Sequence, residues 1–139
     1  MKSSLRIRGN LPELNTVHTH LHALDRNWRL GRKTCIEINL ILDELITNII
    51  EHGEREKEHL IDIILTKTGR NLTIEVQDDG PLFDPTVCPL PDTSLGLDKR
   101  KCGGLGILLV RRLSDSCRYR RVENKNVLTL QKTLPEECR

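Results

Sequence analysis

A carboxylate and a carboxamide one helical turn apart can hold a single ligand between them. Glu44 and Asn48 form such a pair inside TCIEINLILDELITNIIEHG, the stretch from Thr34 to Gly53. Four residues apart, they fall on one face of a helix. The apolar residues Ile38, Leu42, Leu45, Ile46 and Ile49 stripe the other side, the side that must bury itself. A merely solvated polar face is the competing reading. Two details stand against it: Glu44 has no Lys or Arg three or four positions away to pair with, and Asn48 is a poor helix former set well before the helix end at His52 and Gly53.

A second group with chemistry ends a strand. LIDIILTKTGRNLTIEVQDDG reads as two strands joined by a turn over Thr68 to Asn71. Leu72, Ile74 and Val76 share one parity, and extending it puts Asp78 on the core side. A carboxylate there is costly unless something donates to it, and Gly80 would let a flat ligand approach the backbone. An ordinary Asp-Asp-Gly-Pro turn is the alternative. A third feature is glycine-rich: Gly103, Gly104 and Gly106 lead into an apolar helix over Ile107 to Leu113. That order offers free N–H groups and a positive helix end to an anion, and Lys99, Arg100 and Lys101 just before it could neutralise phosphates. Tight loops also need glycine for steric reasons alone.

These groups need elements to hold them. SLRIRG alternates as a half-buried strand, and Asn10, Pro12 and Glu13 supply helix-start chemistry. Leu14, Val17, Leu21, Leu24 and Trp28 then step by three and four as one buried stripe before Gly31. The histidines His18, His20 and His22 invite a metal reading, but alternate helix positions point apart, only His18 and His22 share a face, and no third ligand is near, so surface histidines are expected. The stretch from Pro81 to Lys101 carries four prolines and neither a strand nor a helix period, as a functional loop or lid would. CRYRRV and VLTLQKT close the chain as two strands around a turn over Glu123 to Asn126. The order strand, helix, helix, strand, strand, long loop, helix, strand, strand argues for one mixed sheet with its helices on one face.

Composition narrows the classes. The chain has 139 residues, of which 30% are charged and 37% apolar, as suits one globular domain. One Trp, one Tyr and one Phe give no stacking platform, and a net charge of +2 gives little field for a phosphate backbone, so no direct nucleic-acid partner is expected. No apolar run is long enough for a membrane span and no secretion signal opens the chain, which implies no membrane partner and a cytoplasmic location. Five cysteines at irregular gaps, with no CxxC pair, read as reduced thiols.

Together, ExxxN (Glu44, Asn48), DxGxxFDP (Asp78 to Pro85) and GGLGI (Gly103 to Ile107) resemble the three ATP-binding boxes of the Bergerat fold, shared by DNA gyrase, the heat-shock chaperone, MutL and histidine kinases. The short length, the ELITNIIEHG wording and the FDP are most similar to the anti-sigma-factor serine kinases of the RsbW and SpoIIAB type. The resemblance covers nearly the whole chain. It implies an α+β two-layer sandwich, a mixed, mainly antiparallel sheet covered on one face by helices, spanning residues 1–139 with an ATP lid at 81–103.

The resemblance also implies roles. Asp78 accepts from the adenine amine and Gly80 admits the ring, Asn48 gives an oxygen to Mg²⁺, the amides of Gly103, Gly104, Leu105 and Gly106 cradle the phosphates of ATP, and Glu44 is the general base. The implied substrate is a serine or threonine of an anti-anti-sigma, STAS-domain partner, with a sigma factor as the second protein held in a partner switch. The first helix and the sheet edges are candidate contacts of a homodimer. Three rivals remain. A nucleotide-holding module that transfers nothing would have little use for Glu44. A histidine-kinase catalytic domain would follow a helical hairpin with a phosphoacceptor histidine, a pattern not seen around His18, His20 and His22. An ATPase would use Glu44 to activate water.

Overall fold

The structure, a computed structural model, describes residues 1–54, 57–87 and 105–136. Within them the chain forms β1 (Lys2–Arg8), α1 (Glu13–Trp28), α2 (Arg32–His52), β2 (Leu60–Thr68), β3 (Asn71–Asp78), a short 3-10 turn (Pro85–Val87), α3 (Leu105–Leu113), β4 (Ser116–Val122) and β5 (Lys125–Thr133). The strands make one five-stranded sheet in the order β1-β2-β3-β5-β4. Every neighbouring pair is antiparallel, so the mainly antiparallel expectation extends to the whole sheet.

Local chemistry sets the boundaries. The Asn10 side chain accepts from Glu13 N at 3.2 Å and so caps the entry to α1, whose end is turned by Arg29 in the left-handed region at φ 52°. Glu123 and Asn124, at φ 49° and 64°, form the tight two-residue connection between β4 and β5. The turn is therefore two residues shorter at its C-terminal flank than Glu123 to Asn126 would make it, because Lys125 and Asn126 already pair in β5. Leu105 and Gly106 lie in the first turn of α3 rather than in the loop before it.

Alternation along the strands makes the two faces different. Ile61, Ile63 and Leu65 of β2, Leu72, Ile74 and Val76 of β3, and Leu128 and Leu130 of β5 point to one side, where they meet the stripes of α1 and α2 together with Ile107 and Val110 of α3. The opposite face is polar, held by a forked Arg6 to Asp62 contact at 2.7 and 3.1 Å and by Thr73 to Gln131 at 3.0 Å. Both edge strands are basic, with Lys2, Arg6 and Arg8 on β1 and Arg118, Arg120 and Arg121 on β4, a distribution that discourages edge-to-edge pairing.

One ion pair ties α3 to this frame. Lys132 of β5 shares the inward parity of Leu128 and Leu130, and its ammonium lies 2.6 Å from the Glu37 carboxylate of α2 while donating to the Leu113 carbonyl at the end of α3. A cation there satisfies an orphan carbonyl and complements the negative helix end. Lys132→Ala leaves Glu37 half-buried without its partner, and should cost about 3 kcal/mol in a urea titration. A loss below about 0.5 kcal/mol, the scale of an ordinary surface pair, would remove the pair from the account of how α3 is held.

Candidate functional site

Three segments far apart in sequence meet at one end of the sheet. Glu44 and Asn48 lie on α2, Asp78 ends β3, and Gly106 opens α3. Glu44 and Asn48 do not sit equally on a polar face, as their spacing alone suggests. Four residues carry a helix about 40° beyond a full turn. That rotation leaves Glu44 half-exposed between α2 and α3 and brings Asn48 to 5% exposure, turned toward the sheet.

Gly106 is in contact with the Glu44 carboxylate. A Cβ placed on Gly106 would overlap Glu44 Oε2 and lie 2.8 Å from its Cδ, so glycine is required there by close approach. The carboxylate thus packs beside the first turn of α3, whose backbone N–H groups have no partner within the helix. Gly103 and Gly104, expected to extend this cradle, lie outside the described residues, as do Lys99, Arg100, Lys101, Cys88 and Cys102.

Asp78 is 7% exposed, as its strand parity predicts. Its Oδ1 accepts from Gly80 N at 2.9 Å and from Asn126 Nδ2 at 3.0 Å. Gly80 is again required by proximity, since a Cβ would come within 2.9 Å of the same oxygen. Burial pushes the Asp78 carboxyl above the usual carboxylate range, while the Asn126 and Gly80 hydrogen bonds and the nearby His59 draw it part of the way back.

Asn126, Tyr119 and Phe83 complete the site, and the sequence reading passed over all three. Asn126 is buried and faces Asp78 across the β3–β5 ladder. Its Nδ2 also donates to the Pro81 carbonyl at 2.9 Å, and its Oδ1 accepts from Tyr119 Oη at 2.6 Å, Arg121 at 3.1 Å and Phe83 N at 3.3 Å. The signal was present: Leu128 and Leu130 share the parity of Asn126, so the count that turns Asp78 inward turns Asn126 inward too. Phe83 stacks on His52, with ring centroids 3.9 Å apart and planes 14° from parallel. Burial lowers the proton affinity of the His52 imidazole.

Between these groups runs a narrow cleft of about 30 Å³ lined by Asn48, Asp78, Phe83, Tyr119 and Asn126. That is room for water rather than for a ligand, whose pockets run to ~300 Å³ or more. Phe83 forms one wall of it, packed on His52. The buried Asn48 Nδ2 has no hydrogen-bond partner among the described residues, an amide left free for something entering the cleft. A larger hollow of about 740 Å³ lies at the far end of the sheet. Of its cations, Lys67 donates to the Trp28 carbonyl and Arg70 to the Leu134 carbonyl, and none of the motif residues line it. The three α1 histidines are likewise spread, His18 to Asp43 at 2.7 Å and His20 to Ser3 at 2.7 Å.

An antiparallel sheet with helices on one face, a cleft that Asn48 of α2 shares with Asp78 of β3, and an α3 whose Gly106 meets Glu44 make the Bergerat-type α+β fold. A family model described as histidine kinase-like ATPase domain matches residues 8–132, and the chain belongs to that family. Over 94 residues the chain is 31% identical to the serine/threonine-protein kinase BtrW of Bordetella bronchiseptica; the match covers 67% of this chain and 66% of that protein, just under two thirds of its length. The crystal structure of the RsbU and RsbW domains of Rv1364c from Mycobacterium tuberculosis shares the fold, with a TM-score of 0.64 at 18% identity over 99% of this chain and 34% of that one. Among the described residues, no helix is long and apolar enough to cross a membrane.

The raised Asp78 carboxyl has a consequence for stability. A group held above its unfolded value stabilises the fold most when protonated, and the contribution disappears as pH rises through the raised value. Asp78→Asn cannot ionise, so it should gain stability over wild type as pH climbs from the ordinary carboxylate range to neutrality, read from paired denaturation midpoints. Midpoints that stay parallel across that range would mean that Asp78 ionises without penalty.

Proposed function

We propose that this chain is an ATP-dependent protein serine/threonine kinase of the partner-switch type. In this reading it phosphorylates a hydroxyl of an anti-anti-sigma, STAS-domain protein and also sequesters a sigma factor. The observation that carries it is the contact of Gly106 with the Glu44 carboxylate, with Asn48 one turn further along the same helix and Asp78 across the cleft. This arrangement supports a purine held at the Asp78 end and phosphates at the α3 end, with a base beside the phosphates.

Asp78, buried and hydrogen-bonded on one oxygen, would accept from the exocyclic amine of adenine, and Gly80 would let the ring lie against the backbone. The Asn48 amide oxygen is of the kind Mg²⁺ takes as a ligand, and its nitrogen, without a partner among the described residues, could donate to a phosphate oxygen beside the ion. Mg²⁺ neutralises phosphate charge and leaves the γ-phosphoryl open to attack. The amides of Leu105 and Gly106 would receive phosphate oxygens, with Gly103 and Gly104 extending the cradle. Glu44 would take the proton of the attacking serine or threonine hydroxyl as its oxygen bonds to phosphorus and ADP departs. Residues 81–103 would form the lid of a single domain spanning 1–139, and lid closure would link nucleotide state to partner choice.

The test is phosphoryl transfer from labelled ATP with Mg²⁺ to candidate STAS-domain proteins. Glu44→Ala should keep ATP affinity and lose transfer by about a hundredfold or more, the scale of general-base catalysis. Asn48→Ala should weaken Mg·ATP by about tenfold or more, the scale of one charge-assisted contact. Full transfer by Glu44→Ala would remove the assigned base. Nucleotide binding by wild type with no transfer to any hydroxyl partner would favour the binding module, and release of free phosphate would favour the ATPase.

A further inference from the structure

His59, the residue before β2, is a buried titratable side chain that the proposed chemistry does not use. Its ring is wedged among glycines. A Cβ on Gly53 would come within 2.9 Å of His59 Cδ2, one on Gly80 within 3.6 Å, and Gly9 N donates to the His59 carbonyl at 2.7 Å. Both ring nitrogens are engaged. Nε2 faces Glu54 N at 3.3 Å, and Nδ1 faces Asp79 Oδ1 at 3.1 Å, an oxygen that also accepts from Leu60 N at 3.0 Å.

The backbone decides the tautomer. The Glu54 N–H can only donate, so Nε2 must present its lone pair, and the proton of the neutral ring then sits on Nδ1 and is donated to Asp79. The ring therefore spans two walls. On one side is Glu54, two residues past the end of α2, the helix of Glu44 and Asn48; on the other is Asp79, which sits between Asp78 and Gly80.

We propose that His59 is a positioning residue: its neutral imidazole ties Glu54, just past the end of the Glu44–Asn48 helix, to the Asp78–Gly80 turn, and its protonation releases that tie and weakens nucleotide binding. The proposal rests on the reading of this cleft as the nucleotide site.

The surrounding charges fix the direction of the effect. From the end of β3 the ring meets Asp78 and Asp79. The α2–β2 connection brings Glu54, paired with Lys57 at 3.8 Å, and Glu58, which Asn10 and Arg8 approach. The end of α2 contributes His52, and the loop after β1 contributes the uncharged Gly9 and Asn10. A second proton on Nε2 would point at the Glu54 N–H, donor against donor, while the two aspartates hold the cation on their own side. The Asp79 contact persists and the Glu54 contact opens.

The experiment is calorimetric titration of the full chain with ADP and Mg²⁺ between about pH 5.5 and about pH 8, either side of the ordinary imidazole range. His59→Gln offers an amide oxygen to the Glu54 N–H, and His59→Phe fills the space with no polar atom. Wild-type affinity should fall by about tenfold toward low pH, the scale of one lost hydrogen bond to a held group. His59→Phe should bind about tenfold more weakly at neutral pH, and His59→Gln should recover most of that loss with a flatter pH profile. Because His52 titrates as well, the difference between wild type and His59→Gln isolates the contribution of His59. A His59→Gln profile identical to wild type, or wild-type affinity in folded His59→Phe, overturns the proposal alone. Wild type that binds no ADP at any pH overturns the nucleotide reading with it. Should His59→Phe not fold, long-range proton–nitrogen NMR of wild type reads the ring directly: a bare Nε2 with protonated Nδ1 is required, and the opposite tautomer overturns the proposal.

Discussion

The hydrogen bond between Asn126 and Asp78 is the constraint on which the cleft depends. It joins two residues that face each other across the β3–β5 ladder, so sheet register itself delivers the donor to the acceptor. Shift that register by one residue and Asn126 would face solvent, leaving a buried carboxylate to bear its desolvation alone. The same carboxamide, through its oxygen, collects Tyr119, Arg121 and Phe83 N. One side chain therefore fixes β3, β4 and the chain leaving β3 together. It engages only Oδ1 of Asp78; Oδ2 accepts nothing from the described residues.

Glycine supplies the complementary constraint. Gly53, Gly80 and Gly106 each abut a polar side chain, namely His59, Asp78 and Glu44, closely enough that a methyl group would have to displace it. None of the three carries a positive φ, so here glycine serves proximity rather than unusual backbone conformation. Bringing carboxylates this near to main chain gives them N–H donors or helix ends in place of water. That substitution is how a small domain can keep ionisable groups within a largely apolar shell.

Much of this could be read from sequence because periodicity carried it. The α1 stripe, the inward parity of Asp78 and the glycine-led start of α3 all follow from spacing. Asn126 was assigned to a turn because Glu123 to Asn126 is polar throughout, although its parity with Leu128 and Leu130 pointed inward; turn composition outweighed alternation where the two overlap. Asn48 was placed with Glu44 because one-turn spacing was treated as exact alignment, whereas the residual rotation moves it to the core boundary. His59 left no local signal at all. Its partners Gly9, Gly53 and Asp79 lie on three different connections, and only tertiary structure brings them together.

The position of Glu44 also bears on how the site responds to a ligand. A carboxylate beside the first turn of α3 lies near the unpaired amides and positive helix end that would favour a phosphate. Two anions cannot occupy that helix end without mutual repulsion, so a phosphate arriving there must displace Glu44 or be bridged to it by a cation or a shared proton. Asn48, one turn along α2, stands where such a cation could be held. A site built this way is sensitive to what occupies its anion end, because the occupant changes where the Glu44 carboxylate can rest. A side chain that must move when phosphate binds is well suited to transmit that event across α2 to its solvent face.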